Sequence, residues 1–176
     1  NGPSRETRNW LDGCEDLYYG GTAGIFRGHK GSVFDGGVRE PGILTMPGTI
    51  PMGQEIDAPC AMFDLFPTFC EAVSISLPED RELDGKSILN VATNNSESPH
   101  DQLFWEYGPD QLAVREDAWR LVLNGREDAK ESVDVHLANL DVDPSERNNL
   151  AETETSVTTR LTAAAQTWRQ SDAGLL

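Results

Sequence analysis

Phe26-Arg27-Gly28-His29-Lys30-Gly31-Ser32-Val33-Phe34-Asp35-Gly36-Gly37-Val38-Arg39-Glu40-Pro41 sets a histidine and a lysine among four glycines, next to a short apolar pattern. Glycines at 28, 31, 36 and 37 let the backbone turn sharply and come close to a ligand. A lysine held in such a turn offers an oxyanion a compact positive charge. An ordinary glycine-rich loop with a solvated lysine has the same local composition, so the decision rests on the neighbouring phrases.

With those phrases the chain resembles the sulfatase family of the alkaline-phosphatase-like superfamily, of the arylsulfatase and N-acetylgalactosamine-6-sulfatase type, over its C-terminal portion. The resemblance rests on Lys30-Gly31, Asp35-Gly36-Gly37 and Arg39-Glu40-Pro41. It continues through Met46-Pro47-Gly48, Asp64-Leu65-Phe66-Pro67-Thr68, Leu83-Asp84-Gly85, Leu103-Phe104-Trp105-Glu106-Tyr107, Ala113-Val114-Arg115, Trp119-Arg120-Leu121-Val122, and Leu140-Asp141 to Asn149-Leu150. These phrases cover nearly the whole chain in the family's order. The fold class this implies is α/β: the end of a sulfatase core at 1–92, then a C-terminal subdomain at 93–176 with an antiparallel sheet and a packed helix.

The resemblance implies hydrolysis of sulfate esters, of carbohydrates above all, by a formylglycine nucleophile and calcium located mainly in a preceding part of the protein. The family makes formylglycine from the first residue of a Cys/Ser-x-Pro-x-Arg motif, which this chain lacks. Asn1-Gly2-Pro3-Ser4-Arg5 has its outline, but an asparagine cannot become that aldehyde. Asn1-Gly2 instead resembles the end of the family's aspartate-asparagine-glycine turn, which implies Asn1 as a metal ligand; a side-chain amide oxygen suits hard calcium. Lys30 matches the lysine that contacts sulfate, which implies a catalytic and substrate-binding role. His29 is either a substrate contact or structural, because adjacent side chains of an extended segment point apart. A fragment of this kind is expected to be inactive alone. Two alternatives are a non-catalytic binding or structural remnant of a sulfatase and a related phosphonate or phosphate ester hydrolase; fold analogy does not separate them.

Composition bounds the partners. The chain has 176 residues, 38% hydrophobic, with four tryptophans and a formal net charge of −16. That charge disfavours nucleic acid and anionic membranes, and no apolar run reaches membrane-spanning length. The resemblance implies an exported protein: periplasmic, extracellular or, in a eukaryote, lysosomal. Oligomeric state is unspecified. Cys14, Cys60 and Cys70 lack metal-type spacing, leaving free thiols or one disulfide plus a free thiol.

Periodicity supplies the elements. Residues 2–24 read as a loop with a turn at Tyr18-Tyr19-Gly20-Gly21. Gly42 to Met46, between two prolines, reads as a short buried strand. Asp64 reads as the cap of a helix with Leu65, Phe66, Phe69 and Val73 at helical spacing and Pro67 in the first turn. Residues 76–101 read as a surface connection carrying the sequon Asn94-Asn95-Ser96. Gln102–Tyr107, Leu112–Arg115, Trp119–Leu123 and Val135–Leu140 read as an antiparallel meander with a turn at Asn124-Gly125. Leu150 to Arg169 reads as a helix that packs through Val157, Leu161, Ala164, Ala165 and Trp168. His100 and His136 read as surface or packing residues, and Arg39 and Glu40 as polar contacts holding the loop.

Overall fold

The computed structural model of the chain describes residues 2–3, 21–127 and 132–172. Asn1, Cys14 and the turn expected at Tyr18-Tyr19-Gly20 lie outside them. Two compact units emerge: one joins residues 1–41 to 102–176, and the other comprises Gly42–Asp101.

In the first unit, β1 (Leu103–Tyr107), β2 (Gln111–Glu116), β3 (Trp119–Arg126) and β4 (Ser132–Asn139) form the expected meander in the order β1-β2-β3-β4, every pair antiparallel. Alternation along each strand sends side chains to opposite faces. Leu112, Val114, Leu121, Leu123 and Leu137 face one way and pack on Leu161 and Ala165 of helix α4 (Thr155–Asp172). The ring of Trp168 stacks on Phe104 at 5.1 Å. Ala113 and Val122 face the other way and bury Val33 and Phe34, with Trp105 alongside. The sheet is therefore buried on both faces, by a helix on one side and by the glycine-rich segment on the other, where Arg120 and His136 share the face with Ala113 and Val122. Asn149 extends the edge of β4: its amide accepts from Leu137 N at 3.1 Å and donates to Val135 O at 2.9 Å.

The turn expected at Asn124-Gly125 is instead inside β3. Asn124 takes φ 51°, a left-handed conformation that asparagine tolerates, and its amide donates to Asp110 O at 3.1 Å. Gly125 is required by packing, since a Cβ there would sit 2.8 Å from the ring of Phe34. Helix α4 begins at Thr155, later than Leu150, because Leu150 to Glu154 close turns through Thr153 N and Glu154 N to Leu150 O.

The second unit holds a 3-10 turn at Met62–Asp64 running into α2 (Leu65–Ala72), and α3 (Leu89–Asn94). The helix after Asp64 is as expected, but the Asp64 carboxylate caps none of its amides. It faces backwards, accepting from Ala61 N at 2.7 Å and Lys86 N at 3.0 Å and pairing with His100 Nε2 at 2.7 Å. Asp64 therefore ties three chain segments together. Residues 76–101 contain α3, whose Val91 and Ala92 are buried. Gly42–Met46 is not a strand: Ile43 is 94% exposed, and no ladder partner occurs among the described residues. A five-residue apolar run has no strand identity without a neighbour to hydrogen-bond it. Phe66 and Phe69 of α2 and Val73 just after it are exposed.

Candidate functional site

The glycine-rich segment doubles back on itself. Ser32 N donates to His29 O at 2.9 Å, Gly36 N to Arg27 O at 2.6 Å, and Gly37 N to Phe34 O at 2.8 Å. Asp35–Val38 forms a single helical turn, α1. Gly28 and Gly31 take φ of 87° and 92°, values that only glycine adopts without strain. A Cβ on Gly36 or Gly37 would meet carbonyl oxygens at 2.5 Å or less, so the paired glycines are demanded by close backbone approach.

Lys30 sits at the tip of this fold, exposed. Its backbone N donates to Pro3 O at 3.1 Å, and among the described residues no carboxylate pairs with its ammonium. Beneath it, Gly31 lies against the ring of Tyr107, and Gly31 O accepts from Gln111 Nε2 at 3.2 Å. The result is a cation presented on a turn supported by the ends of β1 and β2. His29 shares the turn. Its Nδ1 lies 2.7 Å from Lys30 O; a carbonyl only accepts, so Nδ1 carries a proton. Its Nε2 is buried with no partner among the described residues. Gly2 is also held here, its N donating to Gly37 O at 2.8 Å.

Below the tip, the loop is anchored by residues to which sequence reasoning gave no site role. Phe34 is fully buried, with the Arg27 guanidinium 4.1 Å above its ring and His136 edge-on at 5.5 Å. Arg27 Nη1 donates to His136 Nδ1 at 3.1 Å and to Glu146 O at 3.1 Å. Arginine has no acceptor, so Nδ1 is unprotonated. Burial, and next the Arg27 charge, push the His136 imidazole down from 6.5 to about 4. Both His136 and His100 thus take part in buried polar contacts.

Arg120 of β3, 1% exposed, lies under the loop. Its guanidinium donates to Val33 O, pairs with Asp35 Oδ1 at 3.0 Å, approaches Glu146 Oε1 at 3.5 Å, and stacks over Trp105 at 4.6 Å. Glu146 Oε2 accepts from Asp35 N at 2.7 Å. Burial pushes the Glu146 carboxyl up from 4.5 to about 7, helped by the nearby Asp35 charge and opposed by Arg120, the Asp35 N–H and Arg27. Desolvation prevails because one guanidinium is shared between two carboxylates in a dry site. Arg39 adds a contact to Asp35 at 3.6 Å and covers the Phe26 ring at 4.4 Å, which bears out its expected role in holding the loop. The one sequence signal for Arg120 is an arginine at an inward position of an otherwise apolar strand.

Residues 21–171 match the family model for the C-terminal region of N-sulphoglucosamine sulphohydrolase. The chain belongs to the sulfatase family. It is 41% identical to human steryl-sulfatase over 87 residues, which is 49% of this chain and 15% of that protein. It is 39% identical over 115 residues to an arylsulfatase of Hemicentrotus pulcherrimus, covering 65% of this chain and 19% of that one. The chain thus spans under a fifth of the length of these sulfatases. Among solved structures, the PsFucS1 sulfatase of Pseudoalteromonas sp. superposes with a TM-score of 0.71 at 21% identity, covering 98% of this chain and 36% of that one. A sulfatase from Bacteroides thetaiotaomicron, described under metabolism of multiple glycosaminoglycans, gives 0.72 at 24% identity, covering 84% and 32%. These two show the fold: the meander and α4 form an α/β sulfatase C-terminal subdomain.

Among the described residues, no group of three or more His, Cys, Asp or Glu side chains could hold a metal ion. Cys60 and Cys70 are free, Cys60 exposed. No helix of the described residues is long and apolar enough to cross a membrane.

Proposed function

We propose that this chain contributes the lysine turn and C-terminal subdomain of an enzyme that hydrolyses sulfate esters of carbohydrates. The observation that carries the proposal is the exposed Lys30 at the tip of a loop whose base is buried and hydrogen-bonded, inside the region that matches the sulfatase model. One structural relative was solved in complex with k-i-k-neocarrahexaose, which supports a carbohydrate as the carrier of the ester. In this reading 1–92 ends the catalytic domain and 93–176 forms the C-terminal subdomain, and the protein is exported.

A formylglycine and calcium, held mainly by residues outside this chain, would supply the nucleophile and charge neutralisation, and Asn1 would offer its side-chain oxygen to the calcium. The described residues form no group of acidic, histidine or cysteine side chains that could hold the ion by themselves. Lys30 donates to the sulfate oxygens, on which negative charge builds in the transition state, and to the leaving oxygen. A fixed donor aimed at developing charge stabilises it by about 2.7–4 kcal/mol. The rigid base matters because the ammonium sits on a flexible stem and only its starting point can be preset. His29, with Nδ1 on Lys30 O and Nε2 buried, shapes the turn under Lys30.

Lys30→Ala in the protein at its full natural length tests the reading. We expect kcat/KM for a sulfate ester to fall about 100- to 1,000-fold, with the circular dichroism spectrum unchanged. Unaltered kcat and KM would remove Lys30 from the site.

A further inference from the structure

We propose that Arg120, together with Asp35 and Glu146, is a positioning device for Lys30: the three side chains grip the loop at residues 33–35 and so set where the lysine turn stands. The inference rests on the sulfatase reading for its catalytic consequence and on geometry alone for the grip.

Phe34 by itself would anchor the loop by burial, and an apolar contact of that kind is non-directional. The ionic group adds direction. Arg120 binds the loop at a backbone carbonyl, Val33 O, and at a side chain, Asp35 Oδ1, while Glu146 takes the backbone amide of Asp35. Consecutive peptide units are therefore held by groups from β3 and from the segment after β4. Val33 and Asp35 follow Lys30 by three and five positions, and the loop between them is closed by Ser32 N to His29 O. A shift at the base is thus passed to the tip with little slack.

The arrangement is costly as a mere fastening. Arg120, Asp35 and Glu146 are exposed by only 1%, 2% and 0%. Buried ionic groups seldom stabilise more than apolar packing of the same shape. Arg120 Nε, Asp35 Oδ2 and Glu146 Oε1 are also buried without a hydrogen bond among the described residues. Incompletely satisfied buried polar groups persist in native structures where something other than stability retains them. The orientation of the lysine turn is the property this group controls. From the sheet, Arg120 alone forms an ion pair with Asp35 among the described residues, while Arg115 of β2 acts on Asp35 only through its charge.

The experiment has two arms on the full-length protein. In the first, hydrogen exchange is followed by mass spectrometry in peptides covering 31–38 for Arg120→Lys, which keeps the charge and loses the fork, and for Asp35→Asn, which leaves the sheet intact. We expect exchange there to rise at least tenfold while peptides from β2, β3 and α4 stay protected. Unchanged protection of 31–38 in a variant that folds overturns the grip. In the second arm, kcat/KM is measured for Arg120→Lys, Lys30→Ala and the double variant. We expect Arg120→Lys to cost at least tenfold, mainly in kcat, and to cost nothing further once Lys30 is gone, because interacting residues are non-additive. Losses that simply multiply overturn the action through Lys30. A Lys30→Ala enzyme with full activity sinks the catalytic reading instead, while the exchange arm still decides the grip.

Discussion

Replacing Glu146 with glutamine should make the protein more stable at neutral pH. The carboxyl is fully buried beside Asp35, with Arg120 and the Asp35 amide as its nearest positive partners and Arg27 bound to its backbone carbonyl. In the folded state burial raises it from the ordinary 4.5 to about 7. Below pH 4.5 folded and unfolded chains both hold this proton. Between 4.5 and 7 only the folded chain does, so the stability it contributes declines as pH rises, at about 1.4 kcal/mol per pH unit. Across the window the loss is about 3 kcal/mol. Glutamine has nearly the same shape and does not titrate. His136 acts with the opposite sign: lowered from 6.5 to about 4, it is charged only in the unfolded chain between those values, so its contribution rises with pH. The two nearly cancel between pH 4.5 and 6.5 in the native sequence. Urea unfolding, followed by tryptophan fluorescence from pH 4.5 to 7.5, reads the effect as variant minus wild type, which removes the carboxylates that are not coupled to Glu146. The difference should climb by about 3 kcal/mol in favour of Glu146→Gln. A flat difference would show that Glu146 is ionised throughout and that Arg120 outweighs burial.

Phe34→Ala empties the space against Gly125, Val122 and the Arg27 guanidinium, and should destabilise the first unit by about 3–5 kcal/mol, as large buried truncations do; a loss under 1 kcal/mol in urea unfolding would contradict the packing. Asp64→Asn keeps the shape but cannot satisfy Ala61 N, Lys86 N and His100 Nε2 together. It should lower the stability of the second unit by about 1–3 kcal/mol, seen as faster proteolysis within 61–100, and unchanged proteolysis there would show that Asp64 is not its clamp.

Much of the first unit was readable because its strands alternate and its helix repeats. Leu112, Val114, Leu121 and Leu123 follow the period of two that places one face on α4, and Leu161, Ala165 and Trp168 follow the helical spacing that answers it. Misreadings arose where local pattern needs a distant partner. Ile43 sits in an apolar run that finds no ladder, and Asn124-Gly125, which looks like a turn, stays in β3 because Phe34 arrives from 91 positions earlier to fill the space over Gly125. Asp64 carries a cap signature, yet its carboxylate is claimed by Lys86 and His100.

For the site, the sequence by itself determined the residue types on the turn: a lysine and histidine among glycines, in an ordered series of phrases that resemble the sulfatase family. Such information is local, since residue type and spacing suffice to give a turn, a cation and a backbone free to fold tightly. Only the tertiary structure decided what holds that cation in place. Asp35, Arg120 and Glu146 are separated by 85 and 26 positions, and no local pattern links the three. They become a grip because the sheet buries them together, where a low dielectric makes directional contacts strong and makes an unshared charge expensive.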